Sequence, residues 1–173
     1  MIKKQSIEEF QKELGSKNPT PGGGVVAALS AQFAASLVEM VCNLTLGRRG
    51  YEKIQKDILK IHKDTVEFKK RLEKLAEEDK KAYDKVMAAY KIDKERAGRN
   101  DAIRKALRYA IDVPLEVREI SQHLEVLAGK VTKIGNRYAV SDAKSAAHLA
   151  HAAGKAALEN IKINKEALAK LQS

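Results

Sequence analysis

Apolar positions recur in steps of three and four along most of this chain, a spacing that predicts helices. Ser6-Ile7-Glu8-Glu9 has the form of a capping box and opens a short helix to Leu14, which Gly15 ends. Asn18 to Gly24, with two prolines and three glycines, reads as an irregular corner. Val25 to Leu46 is apolar on nearly every face and is long enough for a membrane span. Gln32, Glu39 and Asn43 interrupt it, and polar groups at mid-membrane are costly, so a central buried helix is the preferred reading. From Ile54 a seam runs through Ile58, Ile61, Thr65, Phe68, Leu72, Leu75, Asp79, Ala82, Val86 and Ala89. Steps of four and three without a slip predict one long helix.

Lys91 to Asn100 is a polar break. A second seam, from Ile103 to Ala128, keeps the same stepping through Pro114, which predicts one helix with a kink; Gly129 is expected to end it. Ser141-Asp142 reads as an N-cap pair for a last helix whose stripe is Ala143, Ala147, Ala150, Gly154, Ala157, Ile161, Asn164 and Leu168. No segment alternates as a strand would. The expected fold is all-α, an antiparallel bundle of long helices in a single domain over 1–173, one helix kinked at a proline.

Composition narrows the chemistry. A single cysteine, Cys42, excludes an intrachain disulfide and a multi-cysteine zinc site, and it fits a reducing cytoplasm. The start MIKKQSIEEF lacks the apolar segment of a signal peptide, so the expected location is cytoplasmic. The net charge of +10 favours anionic partners. His148 and His151 stand three apart, but nothing supplies further ligands, so neither a metal nor a prosthetic group is expected.

Asp79 is the most informative residue, a carboxylate in a seam that is otherwise uncharged. Desolvation raises the pKa of such a group and suits it to general acid–base work. The competing reading is a bent seam that brings Asp79 to water or to an arginine. The glycines Gly22, Gly23 and Gly24 before a helix make either an anion site or a plain tight corner. Arg48 and Arg49 make either a carboxylate clamp or a solvated turn. Asn160 and Asn164 share a helix face, where their amides either read a polar ring edge or bond to each other.

Six segments in order carry a resemblance: PTPGGGVVAALS from Pro19, NLTLGRRGY from Asn43, AEEDKKAYDKVMAAY from Ala76, VPL from Val113, GNRYAVSDA from Gly135 and NIKIN from Asn160. The chain resembles the cyclodeaminase/cyclohydrolase family of folate enzymes from about Ser6 to Leu168. The resemblance implies an all-α homodimer with a folate site near the subunit contacts. It implies conversion of 5-formimidoyltetrahydrofolate to 5,10-methenyltetrahydrofolate with loss of ammonia, or hydrolysis of 5,10-methenyltetrahydrofolate to 10-formyltetrahydrofolate. The family's catalytic aspartate falls on Asp79, the residue that the seam also marks. Gly22, Gly23, Gly24, Asn43, Ser141, Asp142, Asn160 and Asn164 are expected to shape the site. Arg48 and Arg49 suit the glutamate carboxylates of a folate, one or several. No metal is implied, and the tetrahydrofolate derivative is substrate. The family usually has Ser after the glycines, where this chain has Val25.

Three other readings accompany this one. A folate-binding relative without catalysis would keep the fold. A basic helical nucleic-acid binder fits the charge, but acidic residues are mixed through the same helices and aromatics suited to base stacking are few. A membrane helix at 25–46 would require detergent for extraction.

Overall fold

The computed structural model describes residues 2–171. The expected unit of 1–173 includes Met1, Gln172 and Ser173, which lie outside the described residues. Five α-helices make up most of the described residues: α1 (Ile7–Leu14), α2 (Gly23–Asn43), α3 (Gln55–Tyr90), α4 (Arg99–Ile134) and α5 (Val140–Ala169). Among the described residues there is no strand. The capping box forms as the sequence predicts, Ser6 Oγ accepting from the Glu9 N–H while the Glu9 carboxylate accepts from the Ser6 N–H.

The helices α2 to α5 follow one another around a bundle, and contacts between neighbours run in opposite senses. Gly24 of α2 lies against Asp79 of α3, while Glu39 further along α2 pairs with Lys69. Arg71 of α3 meets Glu116 of α4, and Phe68 stacks on His123 with ring centroids 5.7 Å apart. Asn164 of α5 reaches Ala110 of α4, and His151 faces Glu125. The core is aliphatic and rich in alanine. Ala28, Ala31, Ala34 and Ala35 of α2 are fully buried with Leu72, Leu75, Leu124 and Ala157 from the surrounding helices. Small side chains let α2 sit close to all three neighbours, and its burial there explains its membrane-like hydropathy.

Boundaries differ from the sequence reading at several points, and at its far end α2 stops at Asn43 where the sequence reading ran to Leu46. α2 begins at Gly23, so two of the three glycines lie inside its first turn. First-turn N–H groups have no helical acceptor, which leaves glycine there less costly than in a helix interior. α4 passes through Gly129 and ends at Ile134, because the buried seam continues to Val131. Gly135 follows, packed so closely that a β-carbon there would lie 2.5 Å from the Val131 carbonyl oxygen. Ser141 and Asp142 are not an N-cap pair. A 3₁₀ turn, Arg137–Ala139, leads straight into α5 at Val140 and puts both residues in the first helical turn. Asn136 caps that 3₁₀ turn, its Oδ1 accepting from the Tyr138 N–H at 3.0 Å. Through Pro114, α4 is one continuous helix.

Candidate active site

α2 has 21 residues where α3 and α4 have 36 each and α5 has 30. α3, α4 and α5 therefore run on past the N-terminus of α2, leaving a slot of about 300 Å³ between them. Asp79, Ala82, Tyr83 and Val86 line it from α3, Leu107 and Ala110 from α4, Asn160 and Asn164 from α5. The glycine corner lies at the inner end of this slot. Gly22 takes the N-cap position and its carbonyl accepts the first helical bond, from Val26 N–H at 3.1 Å. That leaves the N–H groups of Gly23, Gly24 and Val25 without helical acceptors, at the positive end of the helix dipole.

Asp79 occupies that position. A β-carbon on Gly24 would overlap Asp79 Oδ1 and stand 2.6 Å from Oδ2, so only glycine lets the helix and the carboxylate come this close. Burial pushes the carboxyl up from its ordinary 3.8 to about 6, and a hydrogen bond from the Val25 N–H opposes that rise. Of the two alternatives raised by the seam, an arginine partner is absent among the described residues, while the half-buried carboxyl keeps access to water through the slot. Arg71, one helical face away, is held by both Glu78 and Glu116, and among the described residues no ion pair reaches Asp79. The result is a carboxylic acid that both holds and releases a proton near neutral pH.

The asparagines do not bond to each other. Asn160 Nδ2 donates to the Ala156 carbonyl at 3.0 Å, and Asn164 Nδ2 donates across the slot to the Ala110 carbonyl at 2.7 Å. Asn160 also touches the glycine corner, its Nδ2 being 3.6 Å from a β-carbon built on Gly23. Tyr83 was not among the expected site residues. It stands four residues after Asp79 on the same helix, a spacing that puts both on one face and was readable in the sequence. Val25, where the family usually has Ser, sends its side chain into the core, where it is fully buried; its part in the site is the backbone N–H.

The remaining candidates lie elsewhere. Asn43 is exposed at the far end of α2, about 30 Å from Gly23 by the helical rise. Arg48 and Arg49 are exposed on the turn beyond it, Arg48 lying 5.6 Å from the Tyr138 ring centroid. Ser141 and Asp142 begin α5 at the same end. The chain thus brings together Asp79, Gly22, Gly23, Gly24, Asn160 and Asn164, and it separates from them Asn43, Arg48, Arg49, Ser141 and Asp142. A cleft of about 320 Å³ between α1 and α2 is apolar, lined by Ile7, Phe10, Leu29 and Phe33 among others, and lacks Asp79. Cys42 is buried in the core, its thiol pushed up to about 12, which leaves it an inert thiol.

Comparison with known proteins identifies the family and the fold. Residues 6–171 match the family described as formiminotransferase-cyclodeaminase. The chain is 36% identical over 172 residues to a methenyltetrahydrofolate cyclohydrolase of Methylorubrum extorquens, covering 97% of this chain and 83% of that protein. It is 30% identical over 163 residues to the formimidoyltransferase-cyclodeaminase of Rattus norvegicus, covering 92% of this chain and 30% of that longer protein. Its fold superposes on the crystal structure of formiminotetrahydrofolate cyclodeaminase from Thermotoga maritima with a TM-score of 0.89 and 32% identity, covering 97% of this chain and 82% of that one. The chain belongs to the formiminotransferase-cyclodeaminase family of folate one-carbon enzymes.

Proposed function

We propose that the chain hydrolyses 5,10-methenyltetrahydrofolate to 10-formyltetrahydrofolate with Asp79 as the proton-transfer group. The observation that carries this is a half-buried carboxyl, raised to about 6, against the glycine corner of an otherwise apolar and amide-lined slot. The match to a cyclohydrolase along nearly the whole chain supports it. Water adds to the carbon bridging N5 and N10, and ionised Asp79 takes one of its protons. The carbon–N5 bond then breaks, and Asp79 gives that proton to N5. The hydroxyl proton leaves to solvent as the formyl carbonyl forms on N10. One residue thus serves as base and then as acid.

A second reading is supported by the Thermotoga maritima structure. In cyclodeamination N10 attacks the formimidoyl carbon and Asp79 takes the N10 proton. Asp79 returns that proton to the formimidoyl nitrogen, which takes a second proton from solvent and leaves as ammonia as the methenyl cation forms. The residue and its tuning are the same; the attacking atom differs.

Asn43, Arg48, Arg49, Ser141 and Asp142 enter this reading through a second copy of the chain. α2 carries a stripe at helical spacing through Val26, Leu29, Phe33 and Met40, with Phe33 57% and Met40 37% exposed. Phe33 stands midway between Gly23 and Asn43. A two-fold axis through that point sets the basic end of one copy beside the glycine end of the other. The homodimer built this way presents arginines to the glutamate carboxylates of a bound folate, single or multiple. It acts in the cytoplasm, with no nucleic acid and no membrane as partner.

The test follows the absorbance of 5,10-methenyltetrahydrofolate with the native protein, with Asp79→Asn and with no enzyme. Loss above the blank that vanishes in Asp79→Asn is the expected result. A native trace equal to the blank overturns the cyclohydrolase reading, and the same optics started from the 5-formimidoyl compound then decide the second.

A further inference from the structure

Pro114 lies inside α4, where a proline has no N–H to give to the carbonyl four residues earlier. That carbonyl belongs to Ala110, which lines the slot. A polar group left without its partner in such surroundings is destabilising unless another donor reaches it. The donor is Asn164 of α5, whose Nδ2 lies 2.7 Å from the Ala110 oxygen. A carbonyl only accepts, so the side-chain amide is fixed with its nitrogen toward Ala110 and its oxygen left for the slot. Asn160, one turn earlier on the same face, is fixed in the same sense by the Ala156 carbonyl. Among the described residues no protein group donates to either Oδ1. The slot therefore offers two oriented Oδ1 acceptors, each beside the second N–H of its own amide, and the acceptors select an N–H on the ligand.

We propose that Asn164 is a specificity-determining residue that accepts an N–H of the substrate's pterin ring, and that Pro114 is the positioning residue that aims it. This rests on the folate reading above and deepens it. Replacing Pro114 by alanine restores a helical N–H to Ala110 and so loosens the hold on Asn164. Replacing Asn164 by alanine removes the acceptor itself.

The experiment is a double-mutant cycle on the full chain, read as KM and kcat for 5,10-methenyltetrahydrofolate, or for the 5-formimidoyl compound if that is the one turned over. Asn164→Ala is expected to raise KM about tenfold with kcat within about twofold, the effect of one lost hydrogen bond in binding. Asn164→Asp keeps the size but cannot donate to Ala110, and it loses at least as much. Pro114→Ala raises KM about threefold in the native background and adds nothing in Asn164→Ala. A purely structural proline would act equally in both backgrounds, and that result overturns the proposal, as does an unchanged KM in Asn164→Ala. If the native protein turns over neither compound, the same cycle is read as the Kd for 5-formyltetrahydrofolate by calorimetry, with the same fold-changes expected. A native protein that neither binds that compound nor turns over the others overturns the folate reading and this proposal with it. Native turnover with an unaltered Asn164→Ala overturns this proposal alone.

Discussion

At its asparagine end, α2 runs into a knot of buried polar groups in which every donor has an acceptor. Asn136, 2% exposed, gives its backbone N–H to Thr45 Oγ1 at 2.9 Å and its amide to the Leu44 carbonyl at 2.8 Å, while Oδ1 receives Tyr138 N–H. Thr45 passes its own hydroxyl proton to the Val41 carbonyl at 2.6 Å. At the glycine end the opposite holds. Asp79 is half-buried with one backbone N–H and, among the described residues, no counter-ion, and its carboxyl is held well above the usual range. Satisfied polar groups at one end fix the fold. The under-satisfied group at the other is the one we propose for proton transfer.

The contrast is open to direct attack. Asp79→Asn is expected to lower kcat by about 10² to 10⁴, the range for removal of a general acid–base group, in the absorbance assay described above. Next in size is a mixing experiment between the two ends. Asp79→Asn and the double variant Arg48→Ala/Arg49→Ala are each expected to be strongly impaired. A heterodimer of the two holds one site with both its aspartate and its arginines intact, so refolding them together returns roughly a quarter of native activity. If arginines and aspartate act within one chain, the mixture stays as impaired as its parts.

Stability separates the ends by sign. Between about pH 4 and 6 the native state holds more protons at Asp79 than the unfolded chain does, because its native carboxyl titrates near 6 and not at 3.8. Stability therefore falls as pH rises through this window, and the deficit is complete above it. Asp79→Asn removes the deficit and is expected to stabilise the protein at pH 7 by up to about 3 kcal/mol, less whatever water in the slot already screens. At pH 4 denaturant midpoints should show almost no difference. Asn136→Ala should cost about 2 kcal/mol at either pH, from the acceptors and donors that it orphans. Destabilisation by Asp79→Asn at pH 7 would show that the two ends do not differ in kind.

Much of this was readable in the sequence. The seam fixed the faces of α3, and its single charge pointed to Asp79. Pro114 announced an orphaned carbonyl at Ala110 by simple counting. The residue that answers it, Asn164, comes from 54 positions away, and no local pattern specifies that pairing. The approach of Gly24 to Asp79 was hidden for the same reason. Ser141-Asp142 misled because a 3₁₀ turn feeding a helix leaves no N-cap role for a side chain. The separation of Arg48 and Arg49 from the glycines was legible, since a helix of 21 residues is about 30 Å long.

The short α2 has one more consequence. Beyond Asp79, α3 continues for about 16 Å to Tyr90, and the tips of α4 and α5 keep pace with it. The proposed reacting group is set by the glycine corner, whereas the reach of the slot is set by how far three helix tips extend. These are different stretches of chain, so lengthening or trimming the tips changes which molecules fit without disturbing the proton-transfer apparatus. A lineage built on this plan can alter its substrates by insertion and deletion at the far rim while its chemistry is inherited unchanged.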